Sequence, residues 1–177
     1  MSVFATKRYL GLFLLLAALV SANAKAQVGI YAMGSVGHIG GVDTGGGSGG
    51  SLTGGGGTFG VYDSFVRLGP LDLGGDARYE TQSSSDGHLN QGLAGLRLAL
   101  RAPILQPYVQ GEVGGGGTNY GTNTGSFVSQ FQLGADYTLI PHIALRGEYG
   151  IGRLSAVFGS GHQTVQQFGI GAVVRLF

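Results

Sequence analysis

From Leu71 to Glu80 the chain alternates strictly: Leu71, Leu73, Gly75, Ala77 and Tyr79 interleave with Asp72, Gly74, Asp76, Arg78 and Glu80. A period of two residues puts one set on each face of an extended strand, so one face is apolar and the other charged. The pattern recurs. Phe131, Leu133, Ala135, Tyr137 and Leu139 interleave with Gln130, Gln132, Gly134, Asp136 and Thr138, and Ile143, Leu145, Gly147, Tyr149 and Ile151 with Ala144, Arg146, Glu148, Gly150 and Gly152. Beyond residue 26 no window sustains a 3.6-residue apolar period, and glycine, at 37 residues, penalises helix by ~1 kcal/mol each time it occurs. An all-β chain is expected.

Eight such segments are expected as strands: 28–39, 58–68, 71–81, 91–101, 107–116, 126–139, 143–154 and 164–177. Most exceed the ~5 to 6 residues of an ordinary soluble strand and match the ~9 to 11 that a tilted strand needs to cross hydrocarbon. The joins alternate as well. Residues 69–70, 102–106 and 140–142 are short and hold prolines, which cannot continue a central strand. Residues 40–57, 82–90, 117–125 and 155–163 are long and polar. Long and short joins in turn are the mark of an eight-stranded antiparallel up-and-down transmembrane β-barrel, with tight turns at one end and loops at the other.

Composition bears on which face points inward. Charged residues make up 11% of the chain, against the roughly 25 to 35% of a soluble domain surface. A secreted lipocalin-like barrel would put its apolar face inside; low charge, long strands and unequal joins favour the reverse. Residues 1–26 are expected to be a signal peptide, with Lys7 and Arg8 before an apolar run at 10–20 and Ala24-Lys25-Ala26 as a cleavage site. That leaves residues 27–177 as one barrel domain. Both lysines fall in the leader, so seven arginines face nine acids in the remainder, and a basic nucleic-acid footprint is absent. With no cysteine, disulfides cannot staple the fold.

A leader, eight alternating strands with long and short joins, and a final strand GIGAVVRLF ending in Phe177 resemble the small outer-membrane β-barrel proteins of Gram-negative bacteria, of the OmpA transmembrane-domain and OmpX type. The resemblance covers residues 27–177. It implies residence in the cell outer membrane, contact with outer-membrane lipid and lipopolysaccharide, and a monomer. It also makes Phe177 an assembly signal for the barrel-assembly machinery. Family members often carry an apolar or aromatic residue two places before the end, where this chain has Arg175; the last strand is expected to face lipid through Phe168, Ile170, Ala172, Val174 and Leu176, with Phe177 at the interface, the alternative being a bulge that changes its parity. Some barrels of this size are enzymes acting on lipid A, which keeps a catalytic alternative open.

The polar strand faces supply the candidate site. Asp76, Arg78, Glu80, Arg97, Gln110, Glu112, Gln130, Gln132, Asp136, Arg146 and Glu148 are expected to point into the lumen. Eight strands leave an interior just wide enough for side chains to fill. Nearly balanced signs fit a structural plug, with a narrow pore as the alternative. The expected role is therefore structural, or one of surface interaction through external loops, without catalysis, cofactor or metal.

Other motifs weigh less. Residues 45–50 spell GxGxxG, but no helical pattern follows to hold a pyrophosphate. His38, His88 and His162 fall near external strand ends and His142 in a short turn, a spread that fixes no metal geometry. Ser160 with His162, and Asp86 with His88, are the local candidates for nucleophilic chemistry. Phe65, Tyr108, Tyr137 and Phe177 at the turn end, and Tyr79, Phe127 and Phe158 at the loop end, are expected in interfacial girdles. Arg153 is expected at the outer end of a lipid-facing row, within reach of lipopolysaccharide phosphates. The glycine-rich join 40–57 is expected to be the longest loop, without fixed structure of its own.

Overall fold

The computed structural model describes residues 27–42, 50–85, 87–118, 124–156 and 162–176. They form eight strands: β1 (Gln27–Val42), β2 (Gly50–Leu68), β3 (Leu71–Ser84), β4 (Gly87–Leu100), β5 (Leu105–Thr118), β6 (Thr124–Ile140), β7 (Ile143–Ala156) and β8 (His162–Arg175). Each strand pairs antiparallel with the next, and β1 pairs with β8 from Gly29 opposite Arg175 to Gly40 opposite Thr164. The sheet is thus a closed barrel in sequence order. Closure leaves no unpaired edge, which a sheet bathed in hydrocarbon requires.

Alternation sorts the side chains as the sequence pattern demands. Phe59, Leu96, Phe131, Leu133, Phe168 and Ile170 all face outward and are more than half exposed. The opposite face of the same strands buries charge. A lipocalin-like inversion, with apolar residues inside and charge in water, does not apply. On β8 the outward set is Phe168, Ile170, Ala172, Val174 and Leu176, while Arg175 turns inward.

The strands run further than the sequence pattern indicates, and the glycine-rich join is where they differ most. Residues 50–57, expected in the first long loop, belong to β2 and pair with β1 up to Val42. Backbone approach explains why glycine is used there: a Cβ on Gly54 or Gly56 would sit 2.4 Å from the Ser83 carbonyl or 1.9 Å from that of Thr81. What reads as slack in composition is close strand contact. The join expected at 82–90 is also mostly strand, with Ser84 already paired to Gly87.

At the turn end, Gly69 adopts a positive φ of 62° ahead of Pro70, the conformation glycine allows at least cost. His142 also has a positive φ, 75°, uncommon for a residue with a side chain. Its Nδ1–H donates to the carbonyl of Arg175 at 3.1 Å, and its own carbonyl accepts from the Arg175 amide at 2.8 Å. Those two bonds hold the turn against the end of β8. Irregularities between Ser64 and Val66 and between Thr138 and Ile140 add a residue to β2 and β6 near this end, as bulges do at barrel rims. Phe65, expected in the interfacial girdle, is the extra residue of the first and is half-buried.

Candidate functional site

The lumen receives all eleven of the polar residues picked out by alternation: Asp76, Arg78 and Glu80 from β3, Arg97 from β4, Gln110 and Glu112 from β5, Gln130, Gln132 and Asp136 from β6, and Arg146 and Glu148 from β7. Each is buried. Charge taken from water to this degree must be paired and hydrogen-bonded, and here two clusters do so.

Arg78 is the hub of the first. Its guanidinium meets Asp76 at 3.3 Å, Glu80 at 3.3 Å and Glu112 at 3.1 Å, and forks onto Glu148 through Nη1 and through Nη2 at 3.1 Å. Planar donors in a fork suit this many acceptors in a way a lysine could not. Amides and hydroxyls supply the remaining donors. Gln110 and Gln132 donate to opposite oxygens of Glu112 at 3.2 and 2.9 Å, and Gln91 donates to Glu80. Tyr31 donates to Asp76 at 2.7 Å and Tyr108 to Glu148 at 2.6 Å.

Asp136 is the hub of the second, nearer the turn end. Arg146 binds it bidentately at 2.7 and 2.9 Å, Arg97 donates at 3.0 Å, and Arg175 stands 3.9 Å away. Arg175 is held there by Thr138 at 2.9 Å and Gln106 at 3.0 Å. Aromatic faces cover the surplus positive charge. The Arg97 guanidinium lies 4.1 Å from the ring centre of Tyr62 and 4.2 Å from that of Tyr108; Arg146 lies 4.2 Å from Tyr31 and 4.8 Å from Tyr108. Attraction of a desolvated cation to a ring face is worth up to about 2 kcal/mol.

Glycine makes room for these rings. A Cβ on Gly60 would stand 2.3 Å from Tyr31, one on Gly29 2.3 Å from Tyr62, and one on Gly134 2.4 Å from Tyr108. Three inward tyrosines therefore lie flat across three inward glycines of neighbouring strands. Tyr108, expected in the interfacial girdle, is corrected by this: it is 2% exposed and inside. Its parity with Gln110 and Glu112 on β5 is the signal that marks it as inward.

Towards the loop end the lumen becomes apolar. Ile39, Leu89, Leu93, Val128, Leu154 and Val165 form one buried cluster, with a neutral Thr58, Gln82 and Gln167 chain beside the ionic region. At the opposite mouth Arg101 pairs with Asp72. Arg78, Asp76 and Glu112 consequently have no side-chain surface open to solvent.

Outside the lumen little converges. Among the described residues no group of three or more His, Asp or Glu side chains could hold a metal ion. His38 and His88 lie on strands and point outward, bonded to Thr53 at 3.1 Å and Ser83 at 2.9 Å. The Ser83–His88 contact pairs a hydroxyl with an imidazole across the β3–β4 hairpin, where sequence spacing pointed to Asp86 instead. Asp86, Phe158, Ser160, Phe177 and the leader 1–26 lie outside the described residues. Of the GxGxxG stretch, Gly50 opens strand β2, not a helix, so the dinucleotide reading has no scaffold. Tyr79, Phe127 and Tyr137 face outward. Arg153 is exposed on the outer face, flanked in register by Ser129 and Thr164.

A closed antiparallel barrel that is apolar outside and ionic inside is a transmembrane-type β-barrel. Its backbone matches solved outer-membrane barrels. Ail, the attachment invasion locus protein of Yersinia pestis, is 12% identical with a TM-score of 0.61, over 85% of this chain and 99% of that one. Neisserial surface protein A is 13% identical with a TM-score of 0.53, over 82% and 96%. The outer membrane enzyme PagL is 12% identical with a TM-score of 0.51, over 84% and 98%. At such identities the likeness is one of fold. No protein-family model and no curated protein matches the sequence.

Proposed function

We propose that this chain is a monomeric integral protein of a bacterial outer membrane, with a plugged lumen and a structural or surface-interaction role carried by its loop end. The observation that supports this best is the lumen itself. Its charges face one another in two ionic clusters beneath the apolar cluster of Ile39, Leu89, Leu93, Val128, Leu154 and Val165, an arrangement that supports neither ion flow nor substrate entry. Outward Phe, Leu and Ile supply the lipid-facing band. Lipid and lipopolysaccharide would be its immediate surroundings, and the barrel-assembly machinery its route in.

Planar-bilayer recording tests the plug: the purified protein is expected to give no steady conductance, and ion-selective steps would overturn the reading. Fractionation tests the location, with extraction by detergent alone expected. Recovery in the soluble periplasmic fraction would sink it.

A second reading is catalytic. The Ser83–His88 hydrogen bond at the loop end and the fold shared with an outer membrane enzyme favour it to that extent. Mass spectrometry of lipid A from cells expressing the protein or its S83A variant separates the two. A lipid profile altered by the first and not by the second would replace the structural role with hydrolysis at Ser83.

A further inference from the structure

Six carboxylates are buried on the inner face; Asp72 pairs with the part-exposed Arg101 at the turn-end mouth, which leaves five, Asp76, Glu80, Glu112, Asp136 and Glu148, enclosed with four guanidiniums, Arg78, Arg97, Arg146 and Arg175. Among the described residues one negative charge is therefore left over. It belongs to the acid-rich cluster, because Arg97, Arg146 and Arg175 are all turned to Asp136 while Arg78 alone serves four carboxylates.

Within that cluster the backbone brings two acids together. Asp76 on β3 and Glu112 on β5 stand on either side of Gly95 on β4, in register with it. Gly95 has no side chain to separate them, and a Cβ there would meet the Gly111 carbonyl at 1.9 Å. Both carboxyls approach the same atom, Arg78 Nε, at 3.3 and 3.1 Å. Asp76 Oδ2 is buried and has no donor. Two carboxylates carry only acceptors, so neither can bond the other; adding one proton creates a donor and cancels the leftover charge. Like charges sharing a dry site disfavour double ionisation in any case.

We infer that the lumen binds one proton at neutral pH, shared between Asp76 and Glu112. The other ionisable groups around the pair do not remove the need for it. Tyr31 on β1 already donates to Asp76 Oδ1, Tyr62 on β2 stands opposite Asp76 but forms no hydrogen bond through its hydroxyl, and Glu80 and Glu148 compete for Arg78. Arg97 on β4 and Arg146 on β7 are committed to Asp136. With no side-chain surface on Asp76 or Glu112, exchange of this proton with bulk water requires the barrel to open.

Infrared spectroscopy of the detergent-purified protein at pH 7 tests the site directly. The wild type is expected to show a protonated-carboxyl C=O band that shifts only slowly in D2O. E112Q and D76N, each replacing the pair with an amide–carboxylate hydrogen bond, are expected to lose that band while keeping heat-modifiable gel migration. Absence of the band from the folded wild type would overturn the assignment. So would a band that survives both substitutions and disappears in E80Q, which puts the proton elsewhere. Should one variant fail to assemble, the wild-type spectrum and the other variant still decide.

Discussion

Arg78 gathers four carboxylates from β3, β5 and β7, whereas Asp136 gathers three guanidiniums from β4, β7 and β8. The two clusters are opposite in charge surplus and differ in how the surplus is absorbed. Excess guanidinium is planar and weakly hydrated, so it can spread over ring faces; Arg97 and Arg146 do so against Tyr31, Tyr62 and Tyr108. Excess carboxylate has no such outlet and needs donors, taken from Gln91, Gln110 and Gln132 and from tyrosine hydroxyls. Tyr31 and Tyr108 do both: their faces meet the arginine-rich cluster and their hydroxyls reach Asp76 and Glu148. The lesson is that these tyrosines hold the two clusters in contact, and that each cluster depends on a hub of the scarcer sign.

Substitutions at the two hubs are expected to differ in cost, with the largest effect at the acid-rich hub. R78M strands four carboxylates with no cation, and removing one partner of a buried pair typically costs about 3 to 5 kcal/mol. We expect a barrel that largely fails to reach its folded gel band, and normal migration of R78M would show that the acids are neutral without it. D136N should cost less, about 2 to 3 kcal/mol, because ring faces still cover Arg97 and Arg146. A lower urea midpoint in lipid vesicles, with the folded band retained, is the expected result. Equal losses for R78M and D136N would mean that the aromatic faces contribute nothing.

Smaller effects sharpen the role of the tyrosines. Y108F keeps the ring over Arg97 but removes the bond to Glu148, a loss of about 1 to 2 kcal/mol. Y62F removes a hydroxyl that has no hydrogen-bond partner, so a change within about 0.5 kcal/mol is expected. Urea titrations of the two variants side by side test the division: if Y62F is the more damaging, the hydroxyls matter for reasons other than hydrogen bonds to acids.

Much of the fold was legible because period-two alternation is a local signal. Each of the eight expected segments overlaps a strand, and the eleven residues expected to point inward from β3 to β7 are all buried, joined there by Asp72, Gln82, Gln91 and Tyr108. Legibility failed where composition stood in for geometry. Residues 50–57 read as a loop because glycine is poor in packing information, yet Gly54 and Gly56 are strand residues against the β3 backbone. Tyr108 lies near a strand end, which suggests the girdle, but its parity with Gln110 puts it inside. Nothing local indicated that Ser83 and His88 would meet, since their contact depends on β3 and β4 pairing beyond their expected limits.

By itself the sequence determined which residues share a face, that the apolar face belongs outside, and that the strands suffice for a barrel spanning hydrocarbon. Those follow from alternation and charge content, which any extended chain expresses residue by residue. Only the tertiary structure decided which acid meets which arginine. Partners across the lumen are set by the stagger at which the sheet closes on itself, and that stagger puts Asp76 and Glu112 astride Gly95 and three tyrosines across three glycines. Closure is a property of all eight strands at once, so no stretch of sequence carries it alone.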